Sequence, residues 1–160
     1  MAPRVQLVSL DDVERTLDAL VRQPPLPPRG RAFLLGQALA HCGQSVRCSL
    51  TGYPKMRSAL FRATLGRIGL RKFLGQGFLS HDRAAQLAGA ECIPTQVTLD
   101  DGADQLRSAI AAFRAHEGPL APHLAFGVMP RELYARVHAM HVADHLSAFE
   151  PSTRDVRPSA

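Results

Sequence analysis

The chain has 160 residues, of which 46% are apolar by a broad count, and carries a formal net charge of +5. These values favour one compact domain with a hydrophobic core over a disordered or fibrous segment. No apolar run approaches membrane-spanning length and the N-terminus lacks the features of a secretory signal, so we expect a cytoplasmic protein with no membrane span.

The positive charge is concentrated in one part of the chain. No acidic residue lies between Asp18 and Asp82, whereas that segment holds ten basic residues, only two of them lysines. Such an asymmetry favours an anionic partner. The segment contains no recognisable nucleic-acid-binding motif, so nucleic acid is the less favoured partner.

Three cysteines, Cys42, Cys48 and Cys92, form neither a CxxC motif nor an even disulfide framework. This usage is typical of a reducing compartment and argues against a zinc knuckle. We interpret these cysteines as small buried residues rather than as nucleophiles.

The first half of the chain predicts two helices. Ser9 is a typical N-cap, with Asp12 three residues later, and the helix that follows ends before "QPPLPPRG". A second helix is predicted from about Arg31 to Thr51, ending at "TGYP" because glycine and proline both oppose its continuation.

The middle segment, "KMRSALFRATLGRIGLRKFLGQGFLS", combines apolar residues with several glycines. We predict a short helix or two turns that cover the bundle, because the glycines weaken a continuous amphipathic helix. A basic amphipathic surface that meets a membrane or a partner is the alternative. Residues 80–97 show no sustained period and are predicted to be a connection.

The second half of the chain predicts two more helices. One opens at "TLDDGADQL", where Asp100 and Asp101 suit the positive N-terminal end of a helix. The last begins at Pro130 and extends to about Phe149, before Pro151. Together the four main helices predict an all-α fold, a four-helix bundle with an additional short helical or irregular segment between the second and third. We assign residues 1–150 to this single domain and residues 151–160 to a disordered tail.

The last helix carries the clearest candidate site, in "RVHAMHVADHLSAF". His141 and His145 are four residues apart, so they lie one turn apart on one helix face and can reach one ion together. That face is core-facing, where imidazoles lose hydration unless they are hydrogen-bonded or coordinate a metal. His138 is predicted at the edge of the site. Asp144 is interpreted as a solvated acid of the helix face, and support of a ligand on another helix is the alternative. By spacing alone, an incidental histidine pair explains the pattern equally well.

The remaining histidines are less informative. His41 lies midway along the second helix, on a face that suits a cleft wall or plain exposure, and spacing does not decide between them. His81, His116 and His123 lie in or beside connections and are interpreted as solvated loop residues. Cys42 neighbours His41 but points about 100° away, so the two do not form a catalytic dyad.

Two longer stretches resemble a known group: "LAHCGQSVRCSLTGYP" and "PLAPHLAFGVMPRELYARVHAMHVADHLSAF". They are similar to a bacterial family of unassigned function within the DinB/YfiT-like superfamily of metalloenzymes, over roughly residues 10 to 149. In that superfamily a histidine of the second helix and an HxxxH pair of the last helix hold a divalent ion. The resemblance therefore implies that His41, His141 and His145 are metal ligands.

Three neutral imidazoles would leave a coordination position for water or substrate, as catalytic zinc sites do. Nitrogen-only ligation suits Zn, Ni, Fe or Cu rather than Ca or Mg, and it does not choose among the first four. We expect Zn or Ni, with Fe as a further option. Characterised relatives include thiol-dependent transferases, so the resemblance implies such chemistry on a small molecule with a low-molecular-weight thiol. We leave the catalytic residues unassigned and expect a homodimer. Arg31 and Arg47 are weak candidates for binding the carboxylates of the thiol.

Two alternatives to a thiol-dependent transferase remain open. One is a metal-dependent hydrolase of a small substrate, in which the ion would activate water. The other is a non-catalytic, metal-binding or stress-related bundle protein.

Overall fold

The structure is a computed structural model that describes residues 5–28 and 30–150. Within these residues the chain is all-helical and forms no strand, which confirms the predicted all-α bundle. The helices are α1 (Leu10–Arg22), α2 (Leu35–Thr51), α3 (Ala59–Ala63), α4 (Leu65–Gln76), α5 (Leu99–Ala115) and α6 (Arg131–Leu146). The predicted tail, residues 151–160, lies outside the described residues.

Local signals determine where the first two helices begin and end. The Asp12 N–H donates to Ser9 Oγ (3.1 Å) and the Asp12 carboxylate accepts the Ser9 N–H (3.0 Å), so α1 opens with a complete capping box. Helix α2 begins at Leu35 and not near Arg31 as predicted. The physical reason is a backbone bond outside any helix, in which the Phe33 N–H donates to Arg83 O (3.2 Å) and ties this segment to the connection after α4.

The middle segment forms α3 and α4, which lie on the outside of the bundle. Leu60, Leu65 and Ile68 are exposed there. The N-terminal turn of α4 approaches the turn before α6 so closely that a Cβ on Gly66 would stand 2.0 Å from Ala125 O, so only glycine fits. This contact places α4 beside the pocket described below.

Helix α2 is the central element, and α5 is its closest neighbour. Gly36 and Gly102 make this approach possible, because a Cβ on Gly102 would lie 2.2 Å from Gly36 O. A different side of α2 faces α6, and α1 packs against both α5 and α6. The predicted last helix ends at Leu146, earlier than Phe149, and the chain continues in turns.

Candidate metal centre

Four histidines converge between α2, α6 and the connection that follows α4. His41 comes from α2, His141 and His145 come from α6, and His81 comes from the connection. One ring nitrogen of each lies within 4.8 Å of the others. The Nε2 atom of His145 is 3.2 Å from Nε2 of His141 and also 3.2 Å from Nε2 of His81.

These distances suit a shared ion. Tetrahedral ligation with metal–nitrogen bonds of about 2.0–2.1 Å places neighbouring nitrogens ~3.3 Å apart. Hydrogen bonds alone do not pair all of these nitrogens well. His145 Nε2 faces two other imidazole nitrogens, and a neutral imidazole ring carries only one N–H to share among them. The donor set is entirely nitrogen, which suits Zn, Ni, Fe or Cu rather than Ca or Mg.

Asp144 holds His81 in position. His81 Nδ1 donates to Asp144 Oδ2 (2.8 Å), and the His81 backbone N–H donates to the same oxygen (3.2 Å). Arg83 Nε donates to Asp144 Oδ1 (3.3 Å). Because Nδ1 carries the proton, the Nε2 lone pair of His81 is available to the cluster, as in carboxylate–histidine–metal arrangements.

The interpretation of Asp144 as a solvated acid was therefore wrong. Its side chain is buried, because the connection folds over it and supplies the donors of His81 and Arg83. Burial acts to raise the pKa of Asp144, but the hydrogen bonds from His81 and the positive charge of Arg83 outweigh it and leave the pKa below its usual value. The carboxylate is thus ionised at neutral pH.

Burial keeps the helix-borne imidazoles uncharged. It lowers the pKa of His41 to about 4 and that of His145 to about 2, and it places the pKa of His141 well below its usual value. Repulsion between protonated rings of the cluster acts in the same direction. All three rings are neutral at pH 7, the form in which imidazole binds a metal.

His41 is buried. Of the two environments considered for it, a cleft wall and an exposed surface, the exposed surface is therefore wrong. Its ring lies 5.3 Å from the ring of Phe33 and 5.0 Å from that of His145, measured between centroids. Among the described residues, its Nδ1 atom has no hydrogen-bond partner and is closed to water. A buried polar atom without a partner is unfavourable.

A pocket of about 570 Å³ opens beside the cluster, and His41, His81 and His141 form part of its wall. This volume is in the range that holds a small organic ligand. Its larger apolar lining residues are Met56, Phe73, Leu79, Leu87, Leu124, Phe126 and Val137. Lys55 and Arg57 also line the pocket. They are basic residues at the place where an anionic substrate would bind. Arg31 and Arg47 do not line it, and Arg47 instead donates to Ser108 Oγ (3.3 Å).

The remaining histidines lie outside the cluster. His138 is buried between the rings of Phe113 (5.7 Å) and Tyr134 (5.1 Å). The Nδ1 atom of His123 accepts the backbone N–H groups of residues 125 and 126, each at 3.2 Å, and its ring stacks on Phe126. The interpretation of His123 as a solvated loop residue was therefore wrong. His116 contacts Pro119 O (3.3 Å), away from the cluster.

Sequence reasoning missed His81, which it treated as a solvated loop residue. The segment around it has no periodicity that predicts a direction for its side chain. Only the folded chain shows that the connection returns to α6 and pairs with Asp144. The cysteines offer no alternative centre: Cys42 and Cys48 are buried and Cys92, contrary to expectation, is exposed. Burial raises the pKa of the Cys42 thiol far above neutrality, so it is not a nucleophile.

A family model described as a protein of unknown function (DUF1569) matches residues 4–152, and the chain belongs to this family. No curated protein and no solved structure matches the chain. Within the part of the chain that the structure describes, no helix combines the length and the apolar character needed to cross a lipid bilayer.

Proposed function

We propose that the histidine cluster binds one divalent transition metal and that the protein is a metal-dependent enzyme acting on a small molecule in the adjoining pocket. His41, His141 and His145 are the ligands supplied by the helices. The observation that carries the proposal is the convergence of four ring nitrogens beside a pocket, with His145 Nε2 3.2 Å from the Nε2 atoms of both His141 and His81. Zn or Ni suits such a donor set best, and Fe is a further option.

We favour thiol-dependent transferase chemistry. The resemblance to the DinB/YfiT-like superfamily supports this reaction class. A bound ion would lower the pKa of a thiol or of water so that the reactive anion is available near pH 7. Lys55 and Arg57 would bind the carboxylates of a low-molecular-weight thiol, and the apolar lining would bind the second substrate and exclude water.

Two other functions compete with this one. A metal-dependent hydrolase would use the same ion to activate water rather than a thiol. A non-catalytic metal-binding or stress-related protein is favoured by a specific observation, since four nitrogen donors are available and structural zinc sites are closed by four protein ligands. Homodimerisation and a cytoplasmic location remain predictions.

Metal content is the decisive first measurement. Untagged protein, reconstituted with Zn or Ni and desalted, should hold about one ion per chain by mass spectrometry. His41→Ala and His145→Ala should each lose it, because each removes a ligand from a different helix. His116→Ala is the matched control and should retain the ion, since His116 lies outside the cluster.

The result that contradicts the proposal is a parent protein that takes up neither metal, or an unchanged stoichiometry in both ligand variants. Turnover then separates the reaction classes in the loaded protein. Activity that requires an added thiol supports the transferase, and thiol-independent cleavage of small esters or amides supports the hydrolase. No turnover on either panel, with loss of the fold on chelation, supports a structural ion.

A further inference from the structure

The four histidines are not anchored equally. His41, His141 and His145 are fixed by α2 and α6, two long helices of the bundle. His81 lies on the connection between α4 and α5, and its side chain is 34% exposed. The cluster is thus a rigid set of three imidazoles joined by a fourth that rests on a loop.

The position of His81 relative to the pocket adds a second difference. His81 lines the pocket together with its neighbours Ser80 and Asp82, whereas His145 does not line it. A molecule that approaches the cluster through the pocket therefore contacts His81 and is kept away from His145. Of the four rings, His81 is the one that an incoming ligand can displace with least disturbance of the bundle.

Asp144 holds His81 independently of any ion. Two groups of His81, its Nδ1 and its backbone N–H, bind the same Asp144 oxygen at 2.8 and 3.2 Å. Arg83 binds the other oxygen at 3.3 Å. The backbone bond to Asp144 does not involve the ring, so it can hold His81 near the cluster when Nε2 no longer contacts an ion.

Four imidazoles around a tetrahedral ion leave no position for a substrate, as in a structural zinc site. We propose that His81 is a fourth ligand that exchanges: it binds the ion when the pocket is empty and gives up its place to an anionic sulfur or oxygen donor of the substrate. The bond from the ion to Nε2 breaks, the bond from the ion to the incoming donor forms, and each donor keeps its own lone pair. This inference rests on the proposed metal site, and it reconciles a four-nitrogen cluster with an open pocket.

The test uses Co²⁺ as a spectroscopic probe and β-mercaptoethanol as the exchanging donor. The parent should bind about one Co²⁺ per chain, and the thiol should produce a sulfur-to-cobalt charge-transfer band without release of the ion. His81→Ala should still bind about one Co²⁺ through the three helix-borne imidazoles, with lower affinity because one nitrogen ligand is lost. Its visible spectrum should differ from that of the parent, and its half-saturating thiol concentration should be lower than that of the parent, because no protein ligand has to leave.

His81→Gln provides a second variant that keeps a hydrogen-bond donor for Asp144, and its thiol titration should resemble that of His81→Ala. The inference is overturned if both variants reproduce the spectrum and the thiol titration of the parent, or if the thiol alters the parent only by removing cobalt. A parent that binds no Co²⁺ overturns the proposed metal site itself. Failure of the site and failure of the exchange are thus separate results.

Discussion

Helix α2 presents two contrasting faces. Toward α5 the contact is backbone against backbone, with Gly36 and Gly102 in direct apposition and no side chain between them. Toward α6 the same helix presents His41 and Ser45, which line the pocket. Close apolar packing stabilises a fold, whereas buried, neutral imidazoles reduce stability unless something coordinates them. The face toward α5 stabilises the bundle, and the face toward α6 carries a residue of the candidate metal centre.

Gly102→Ala should have the largest effect on stability, by disrupting the first face. Its Cβ would stand 2.2 Å from Gly36 O, and because a backbone oxygen cannot rotate away, the two helices must separate. We expect the free energy of unfolding to fall by about 3 kcal/mol, at the upper end of overpacking effects. Urea unfolding followed by circular dichroism measures this change.

Metal uptake by the folded fraction of Gly102→Ala tests whether the two faces of α2 are independent of each other. It should remain near one ion per chain, because the substitution leaves the α6 side of α2 unchanged. An unaltered urea midpoint would show that the glycine contact does not hold α2 and α5 together. A stable variant that has lost its metal would show that the two faces are not independent.

His138→Phe should change the pH dependence of stability through a histidine that lines the same pocket but lies outside the histidine cluster. His138 is buried, its Nε2 has no hydrogen-bond partner among the described residues, and burial lowers its pKa to about 3. Between pH 7 and 5 the unfolded chain takes up a proton here that the folded chain does not, so the free energy of unfolding falls as the pH falls. With an unfolded pKa of about 6.5, this group accounts for about 2 kcal/mol of that fall.

The variant should therefore lose about 2 kcal/mol less than the parent between pH 7 and pH 5. Both proteins are measured with chelator present, so that release of metal in acid does not contribute. Comparing each protein with itself at two pH values cancels any packing difference between the two rings. Equal losses in parent and variant would mean that His138 is protonated in the folded chain.

The sequence predicts the helices of this molecule well where their ends carry chemical signals. The capping pair Ser9 and Asp12 marks the start of α1, and Pro130 directly precedes α6. The start of α2 was placed too early because its limit is set by a tertiary hydrogen bond, from Phe33 to Arg83. A local pattern contains no information about such a partner.

Some residues of the candidate site could likewise be predicted from local sequence patterns, and others could not. The spacing of His141 and His145 predicts that they share a face, and the structure places them together. His41 joins them only through the resemblance, since its helix face was ambiguous. His81 and Asp144 could not be predicted because each owes its position to the other, across 63 residues of chain. Long-range pairs of this kind are fixed by the fold and not by periodicity.

Gly69→Ala should have the smallest effect and serves to calibrate the first prediction. Gly69 lies in the middle of α4, and its added Cβ would make only an ordinary contact, 4.0 Å from the Phe73 ring. Alanine reduces the conformational freedom of the unfolded chain, so the free energy of unfolding should rise by about 0.5–1 kcal/mol in the same urea assay. The same helix-propensity gain is present in Gly102→Ala, where the contact with Gly36 must exceed it. If Gly69→Ala lowers the free energy of unfolding, alanine destabilises a helix of this protein even without a close contact. The Gly102→Ala result could then no longer be attributed to the close approach of α2 and α5.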